Sequence, residues 1–166
     1  MKDVKKNVID SKLTLNEEII NENDYNNLYI DENLSLDDEK IETIKDFISF
    51  TRDMIGIETT VNVFLHKEKN ENLITTASYL PFKNENHIRA GGRALVDILR
   101  SIAHELTHNR QRELNLFNPG DEVQNIGGTI ENEANSIAGI LIKDFSHNHG
   151  YGHIYERKEI SGKKIL

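Results

Sequence analysis

One stretch of the chain decides its fold: residues 93–113, which read RALVDILRSIAHELTHNRQRE. A helix with apolar residues along one side buries that side against a core and leaves the other in solvent. The apolar residues here recur at that helical spacing, at Leu95, Ile98, Leu99, Ile102 and Leu106. The pattern therefore predicts a long, half-buried helix from Arg93 to Glu113.

The second half of this helix contains HELTH at residues 104–108. Histidines four residues apart lie one turn apart on the same side of a helix, with about 5–6 Å between their Cβ atoms, so both rings can bind one metal ion. Glu105 lies beside them and can act as a base toward a water that the ion activates. We interpret His104 and His108 as zinc ligands and Glu105 as the general base.

A catalytic zinc site usually has three protein ligands, so one more ligand is required. After a break near Pro119, a second amphipathic pattern from about Val123 to Phe145 predicts another helix, whose apolar side includes Glu131. Glu133 is the competing candidate, but it points about 200° away around the helix. We favour Glu131 because Asn135, four residues later, can hydrogen-bond a ligating histidine.

Taken together, HELTH at residues 104–108 and ENEAN at residues 131–135 resemble the paired motif of the gluzincin metallopeptidases. The pattern is similar to that of ImmA/IrrE-type proteases and of short metallopeptidases of tailed bacteriophages. The likeness extends over residues 93–145, and the joint pattern is far more specific than either half.

This resemblance implies a minimal zincin-like domain that hydrolyses peptide bonds with one Zn²⁺ ion. It implies that His104, His108 and Glu131 are the zinc ligands, that Glu105 is the general base, and that Asn135 supports a ligating histidine. The implied partner is a protein or peptide substrate.

The sequence before residue 93 predicts a helix and three strands. Ser35 is the predicted N-cap of a helix that runs to about Met54, and Gly56 ends it. Alternating, β-branched composition predicts strands at residues 60–65, 75–80 and 87–90. These elements predict an α+β fold in which a small antiparallel or mixed sheet precedes the helix that carries HELTH.

The start of that helix has two further features. Gly91 and Gly92 predict a hinge into the helix. Arg93, Asp97 and Arg100 lie at helical spacing, which predicts surface ion pairs worth about 0.3–0.5 kcal/mol each.

We divide the chain into a polar arm at residues 1–33, the zincin-like domain at residues 34–145, and a tail at residues 146–166 that contains histidine and glycine. The tail has two interpretations. Either one of its aromatic or imidazole groups stabilises the transition state, or its histidines are exposed to solvent and bind metal only adventitiously. The candidate groups are His147, His149, Tyr151, His153 and Tyr155.

Length and composition limit the function classes. The 166 residues fit one domain, and the net charge of −8 argues against a nucleic-acid partner. The chain has no cysteine, so zinc would be bound by nitrogen and oxygen. Neither a signal-peptide pattern nor a membrane-spanning apolar run occurs, so we expect neither export nor membrane spanning. The resemblance to bacterial and phage metallopeptidases implies a protein of the bacterial host cytoplasm, free or attached to a virion.

Three alternatives remain open at the level of sequence. The chain can be a non-catalytic or virion-associated structural protein of a phage that retains a zincin fold. It can be a regulatory protease that acts on a repressor, although no helix-turn-helix pattern occurs. It can also be a metal-binding module without hydrolysis, whose fourth ligand comes from His147, His149 or His153.

Overall fold

The computed structural model describes residues 18–19, 26–68, 76–118, 120, 128–155 and 159–160. Their fold class is α+β, as predicted. No helix among these residues combines the length and the hydropathy that crossing a membrane requires. The elements in chain order are β1 (Glu18–Ile19), β2 (Asn26–Ile30), α1 (Asp38–Ile55), β3 (Val61–His66), β4 (Ala77–Leu80), β5 (Glu85–Arg89), β6 (Arg93–Ala94), α2 (Leu95–Glu113), α3 (Gly128–Asn148), a 3₁₀ helix (Gly152–Tyr155) and β7 (Glu159–Ile160).

Five strands form one mixed sheet in the order β1-β2-β3-β5-β4. The three central strands are parallel, whereas β1 and β4 pair antiparallel with their neighbours. Alternate residues of β3, including Val61, Val63 and Leu65, belong to the same buried cluster as apolar residues of α1, α2 and α3. The core therefore lies between the sheet and the helices, and β4 is an outer strand of the described sheet.

Helix α1 begins two residues later than the sequence predicts from Ser35. Asp37 is the N-cap, and its carboxylate accepts a hydrogen bond from the backbone N–H of Lys40 at 2.8 Å. Ser35 and Asp37 are both favourable cap residues, so the local pattern alone did not separate them. Gly56 ends the helix as predicted, with a φ of 79° that suits glycine.

Helix α2 begins at Leu95 because the two residues before it, Arg93 and Ala94, form β6 and pair with β7. The connection from β5 passes very close to the chain after β3. A Cβ atom on Gly91 would lie 2.2 Å from the carbonyl oxygen of Lys67, so only glycine fits there without a shift of the backbone. Gly91 therefore permits close packing at the entry to α2.

The arm predicted for residues 1–33 needs correction. Residues Asn26–Ile30 form β2, and all five of its side chains are buried between neighbouring elements. The Asn27 amide donates to the side-chain oxygen of Asn62 on β3 at 3.0 Å, so a polar residue here lies inside the sheet. Residues 1–17 and 20–25 lie outside the described residues.

The boundary at residue 145 also needs correction. Helix α3 continues to Asn148, and its predicted start near Val123 lies outside the described residues. Beyond the helix, Ile154 is completely buried, and the ring of Tyr151 stacks on Phe145 with centroids 4.0 Å apart. The first part of the tail is therefore packed on the domain.

Candidate metal centre

Helices α2 and α3 pack together and bring the three predicted ligands to one point. Nε2 of His104 lies 2.9 Å from one carboxylate oxygen of Glu131, and Nε2 of His108 lies 3.3 Å from the other. The two Nε2 atoms are 3.2 Å apart. Ala134 and Ala138 of α3 are small and buried, and Ala138 belongs to the same buried cluster as apolar residues of α2.

Glu105 lies on the buried side of the same cluster and is only 6% exposed. One ligand atom from each of His104, Glu105 and His108 lies within 4.8 Å of the other two, a spacing suited to a metal ion. Burial, and to a smaller extent the charge of Glu131, raises the pKa of Glu105 to about 8, while a hydrogen bond from the backbone N–H of Tyr79 opposes the rise. Two carboxylates that repel each other at low solvent exposure favour a cation between them.

Gln111 determines which ring nitrogen of His108 carries the proton and which one has a lone pair directed at the cluster. The Gln111 amide group donates to the carbonyl oxygen of Ile130 at 3.1 Å and to the carboxylate of Glu133 at 2.7 Å. Its oxygen therefore faces Nδ1 of His108, 2.7 Å away, and accepts the Nδ1 proton. The lone pair of His108 is then on Nε2, the atom that faces Glu131 and His104.

The surroundings of His108 favour its neutral form and also fix the orientation of its ring. Its ring is 1% exposed, and burial lowers its pKa, while the hydrogen bond to Gln111 and the charge of Glu131 oppose the fall. A neutral imidazole is the form that binds a metal ion.

The structure corrects one predicted role and assigns another. Asn135 is exposed and lines the cavity, but Gln111 makes the side-chain contact to a histidine that was expected of Asn135. Glu133 acts one step further away, through Gln111, while Glu131 contacts both rings. Gln111 could have been found from the sequence, because it lies three residues after His108 on the same side of a helix.

The cluster opens into a cavity of about 490 Å³. Strand β4 forms one wall through Ala77 and Tyr79, and the first half of α2 forms another. The Tyr79 hydroxyl donates to Asn84 and accepts from Arg112, each at 2.8 Å, so its ring is fixed in that wall. His104 keeps 19% of its side chain exposed toward solvent.

None of the described tail residues lines this cavity. The Tyr151 hydroxyl donates to Asp46 on α1, and the Tyr155 hydroxyl lies 3.3 Å from that of Ser146. The ring of His149 packs against Phe50, with centroids 5.0 Å apart. His153 lies 3.4 Å from the hydroxyl of Thr43. The predicted transition-state donors of the tail are therefore engaged with α1 and α3.

Comparison of the chain with models of protein families, with curated proteins and with solved structures gives no match. The likeness to gluzincins stays a prediction that depends on residues 104–108 and 131–135.

Proposed function

We propose that this protein is a zinc-dependent metallopeptidase that hydrolyses peptide bonds. The observation that carries the proposal is the convergence of His104, His108 and Glu131 from two helices, next to the buried carboxylate of Glu105 and at the end of an open cavity.

The donor set suits zinc. It offers two imidazole nitrogens and a carboxylate, with the lone pair of His108 fixed on the converging atom by Gln111. Two histidines and one glutamate form a known catalytic zinc combination that leaves a position for water. Zinc bound there would supply a Lewis acid and a coordinated water whose pKa is lowered toward about 7.

The chain's own residues supply the remaining chemistry. Glu105 accepts the proton that water loses when it attacks the substrate carbonyl, and it can return that proton to the leaving nitrogen. The backbone N–H of Tyr79 holds the Glu105 carboxylate in place. Strand β4 forms one wall of the cavity, and an extended peptide that lies in the cavity can present its carbonyl to the cluster.

The setting that we propose is a bacterial cytoplasm, where the protein is free or attached to a phage particle. This part of the proposal is supported by the resemblance to bacterial and phage metallopeptidases.

Replacing Glu105 by Gln tests the assignment of the base. We expect the purified, zinc-loaded variant to retain its zinc and to lose at least about 100-fold in cleavage of a quenched fluorescent peptide library, because general-base catalysis contributes about 10²–10⁴-fold. The matched control is Glu42→Gln, the same change at an exposed position of α1. Cleavage by Glu105→Gln at the rate of this control would contradict the proposal.

A second pair of variants separates the two glutamates of α3. Glu131→Gln should weaken zinc affinity more than about 100-fold, since losing a ligand should exceed the 10–100-fold effect of an outer partner. Glu133→Gln should leave affinity nearly unchanged, because a glutamine oxygen still accepts from Gln111. Competition with a chromogenic chelator measures both affinities, and a reversed order would exchange the two roles.

A further inference from the structure

The end of the cavity away from HELTH contains a half-buried arginine. The guanidinium of Arg93 donates to the carbonyl oxygens of Arg89 at 2.8 Å and of Asp97 at 3.1 Å. It also donates to the hydroxyl of Ser101 at 2.9 Å. All three acceptors are neutral, so these bonds fix the position of the guanidinium without compensating its charge.

The expected ion pairing of Arg93 does not occur. Asp97 directs its carboxylate to Arg100, 3.2 Å away at the rim, and offers Arg93 only its backbone carbonyl. Among the residues whose side chains the structure describes, no carboxylate lies within ion-pair distance of Arg93. Burial lowers the pKa of Arg93, the charge of Asp97 opposes this, and the like charge of Arg89 adds to it.

This cation, which has no ion-pair contact among the described side chains, belongs to a chain whose net charge is −8. Two arginines, Arg93 and Arg100, and one aspartate, Asp97, line this end of the cavity, and the charge of Arg89 also acts on Arg93. A desolvated cation with only neutral partners is stabilised by an anion that enters the cavity, and a guanidinium suits a carboxylate in particular.

The distance to the metal cluster fits a peptide. Ser101, which Arg93 contacts, lies one helical turn before His104, about 4.5 Å along the axis of α2. An extended peptide advances about 3.3 Å per residue. A carboxylate on a residue next to the cleaved bond, or on the following one, therefore reaches Arg93 when the peptide carbonyl lies at the cluster.

We propose that Arg93 forms an anion subsite that selects substrates with a carboxylate one or two residues from the cleaved bond. This inference rests on the proposed peptidase function, because the bound peptide is a substrate only if the protein cleaves it. The carboxylate can come from an aspartate or glutamate side chain or from the end of a chain, because Arg93 recognises the same group in both.

Peptide binding to the zinc-loaded Glu105→Gln variant tests the subsite without cleavage. The probes are fluorescein-labelled alanine hexapeptide amides with aspartate at each position in turn, their asparagine counterparts, and the all-alanine peptide as free acid and as amide. Fluorescence anisotropy should show about tenfold tighter binding of the acidic member in at least one pair, the effect of one charge-assisted hydrogen bond. A preference within an aspartate–asparagine pair would identify a side-chain carboxylate, and a preference for the free acid over the amide would identify the carboxylate of a chain end.

Second substitutions in the same background identify the cation. Arg93→Gln should reduce the ratio to below about twofold, whereas Arg93→Lys should retain part of it because the charge remains. Arg110→Gln is the matched control, since it removes an arginine of α2 that lies outside the cavity lining and pairs with Glu113. It should retain the full ratio. Equal binding of every acidic and neutral pair, or a ratio that survives in Arg93→Gln, would overturn the proposal.

Two measurements guard against ambiguous outcomes. If Arg93→Gln unfolds, as circular dichroism would show, the preference in the parent background should still fall when NaCl is raised from 0.05 to about 0.5 M. A preference that ignores salt overturns the subsite. Cleavage by the wild-type protein is measured separately: no cleavage together with an intact Arg93-dependent preference contradicts the proposed function and leaves the anion subsite standing.

Discussion

Two regions of this molecule each bring two histidines and a glutamate into contact, but the two clusters differ in geometry. At the α2–α3 contact, both imidazoles and both oxygens of Glu131 face one point, which opens into a cavity. On the other side of the sheet from the helices, His66, His87 and Glu85 form a chain across β3 and β5.

The second cluster is linear, and each contact in it is a hydrogen bond between two groups. Nε2 of His87 donates to the Glu85 carboxylate at 2.8 Å, and Nδ1 of His87 shares a hydrogen bond with Nε2 of His66, also at 2.8 Å. The His87 ring also stacks on Phe64, with centroids 4.7 Å apart. Both histidines are at most 2% exposed.

Among the described residues, only the first cluster has ligand atoms spaced so that they could hold one metal ion, although both clusters contain two histidines and a glutamate. In the sheet cluster both ring nitrogens of His87 are engaged in hydrogen bonds to Glu85 and His66, and the described ligand atoms do not converge on one point. At the α2–α3 contact, Nδ1 of His108 donates to Gln111, so the lone pair of His108 is on Nε2, which faces Nε2 of His104. The candidate metal centre therefore differs from the sheet cluster in two ways: its ligand atoms converge on one point, and that point opens into a cavity.

The largest expected effect compares one histidine from each cluster. His108→Gln should weaken zinc affinity more than about 100-fold, because a ligand is lost. His87→Gln should leave zinc binding within about threefold, because it lies in a separate network. It should instead destabilise the fold by about 1–3 kcal/mol, since buried partners lose hydrogen bonds. Chelator competition and urea unfolding measure the two quantities. An equal loss of zinc affinity in His108→Gln and His87→Gln would contradict the proposed difference between the two clusters.

A smaller effect is expected from the residue that orients His108. Gln111→Ala should weaken zinc affinity by about 10–100-fold, the usual range for an outer hydrogen-bond partner. Asn135→Ala is the control, because Asn135 lines the cavity without contacting a ligand ring. If Asn135→Ala were the more harmful change, the tautomer argument for His108 would be wrong.

The smallest effect concerns the pH dependence of stability. Burial, followed by the charge of His87, lowers the pKa of His66 from 6.5 to about 4, and Asp31 opposes the fall. Between these two pH values the unfolded chain binds a proton that the native state excludes, so stability decreases as pH falls from about 6.5 to 4.

This contribution has a slope of at most about 1.4 kcal/mol per pH unit and is absent above about pH 6.5. His66→Gln, whose side-chain amide can still hydrogen-bond to His87, should remove this pH dependence in urea titrations at matched zinc content. The exposed control His149→Gln should not. Unchanged slopes in His66→Gln would contradict the native pKa assigned to His66.

Sequence periodicity was sufficient for the parts of the molecule where one side of an element is apolar. The spacing of Leu95, Ile98 and Ile102 predicted α2, and the same helix brought His104 and His108 together as expected. Strand β2 was missed because Asn26 and Asn27 resemble an exposed segment. Their burial depends on partners distant in sequence, such as Asn62 and Ser49.

The candidate site shows the same limit. Local spacing indicated the two histidines of HELTH and showed that only one of Glu131 and Glu133 can face them. The reason for choosing Glu131 was a contact expected of Asn135, which Gln111 makes instead. The roles of Gln111 and Arg93 depend on how two helices pack and on which acceptor each donor finds. Spacing along one helix suggested an ion pair for Arg93, but competition from Arg100 for Asp97 left it with neutral partners.

The close approach of Gly91 to Lys67 has a genetic consequence. Any side chain at residue 91 would have to push the two backbone segments apart, and the displacement would pass directly into Arg93 and the first turn of α2. We expect a saturation screen for loss of activity to rank codon 91 with codons 104 and 108, although glycine has no chemistry to contribute. Substitutions at a crowded backbone position would thus be as poorly tolerated as substitutions of the proposed metal ligands.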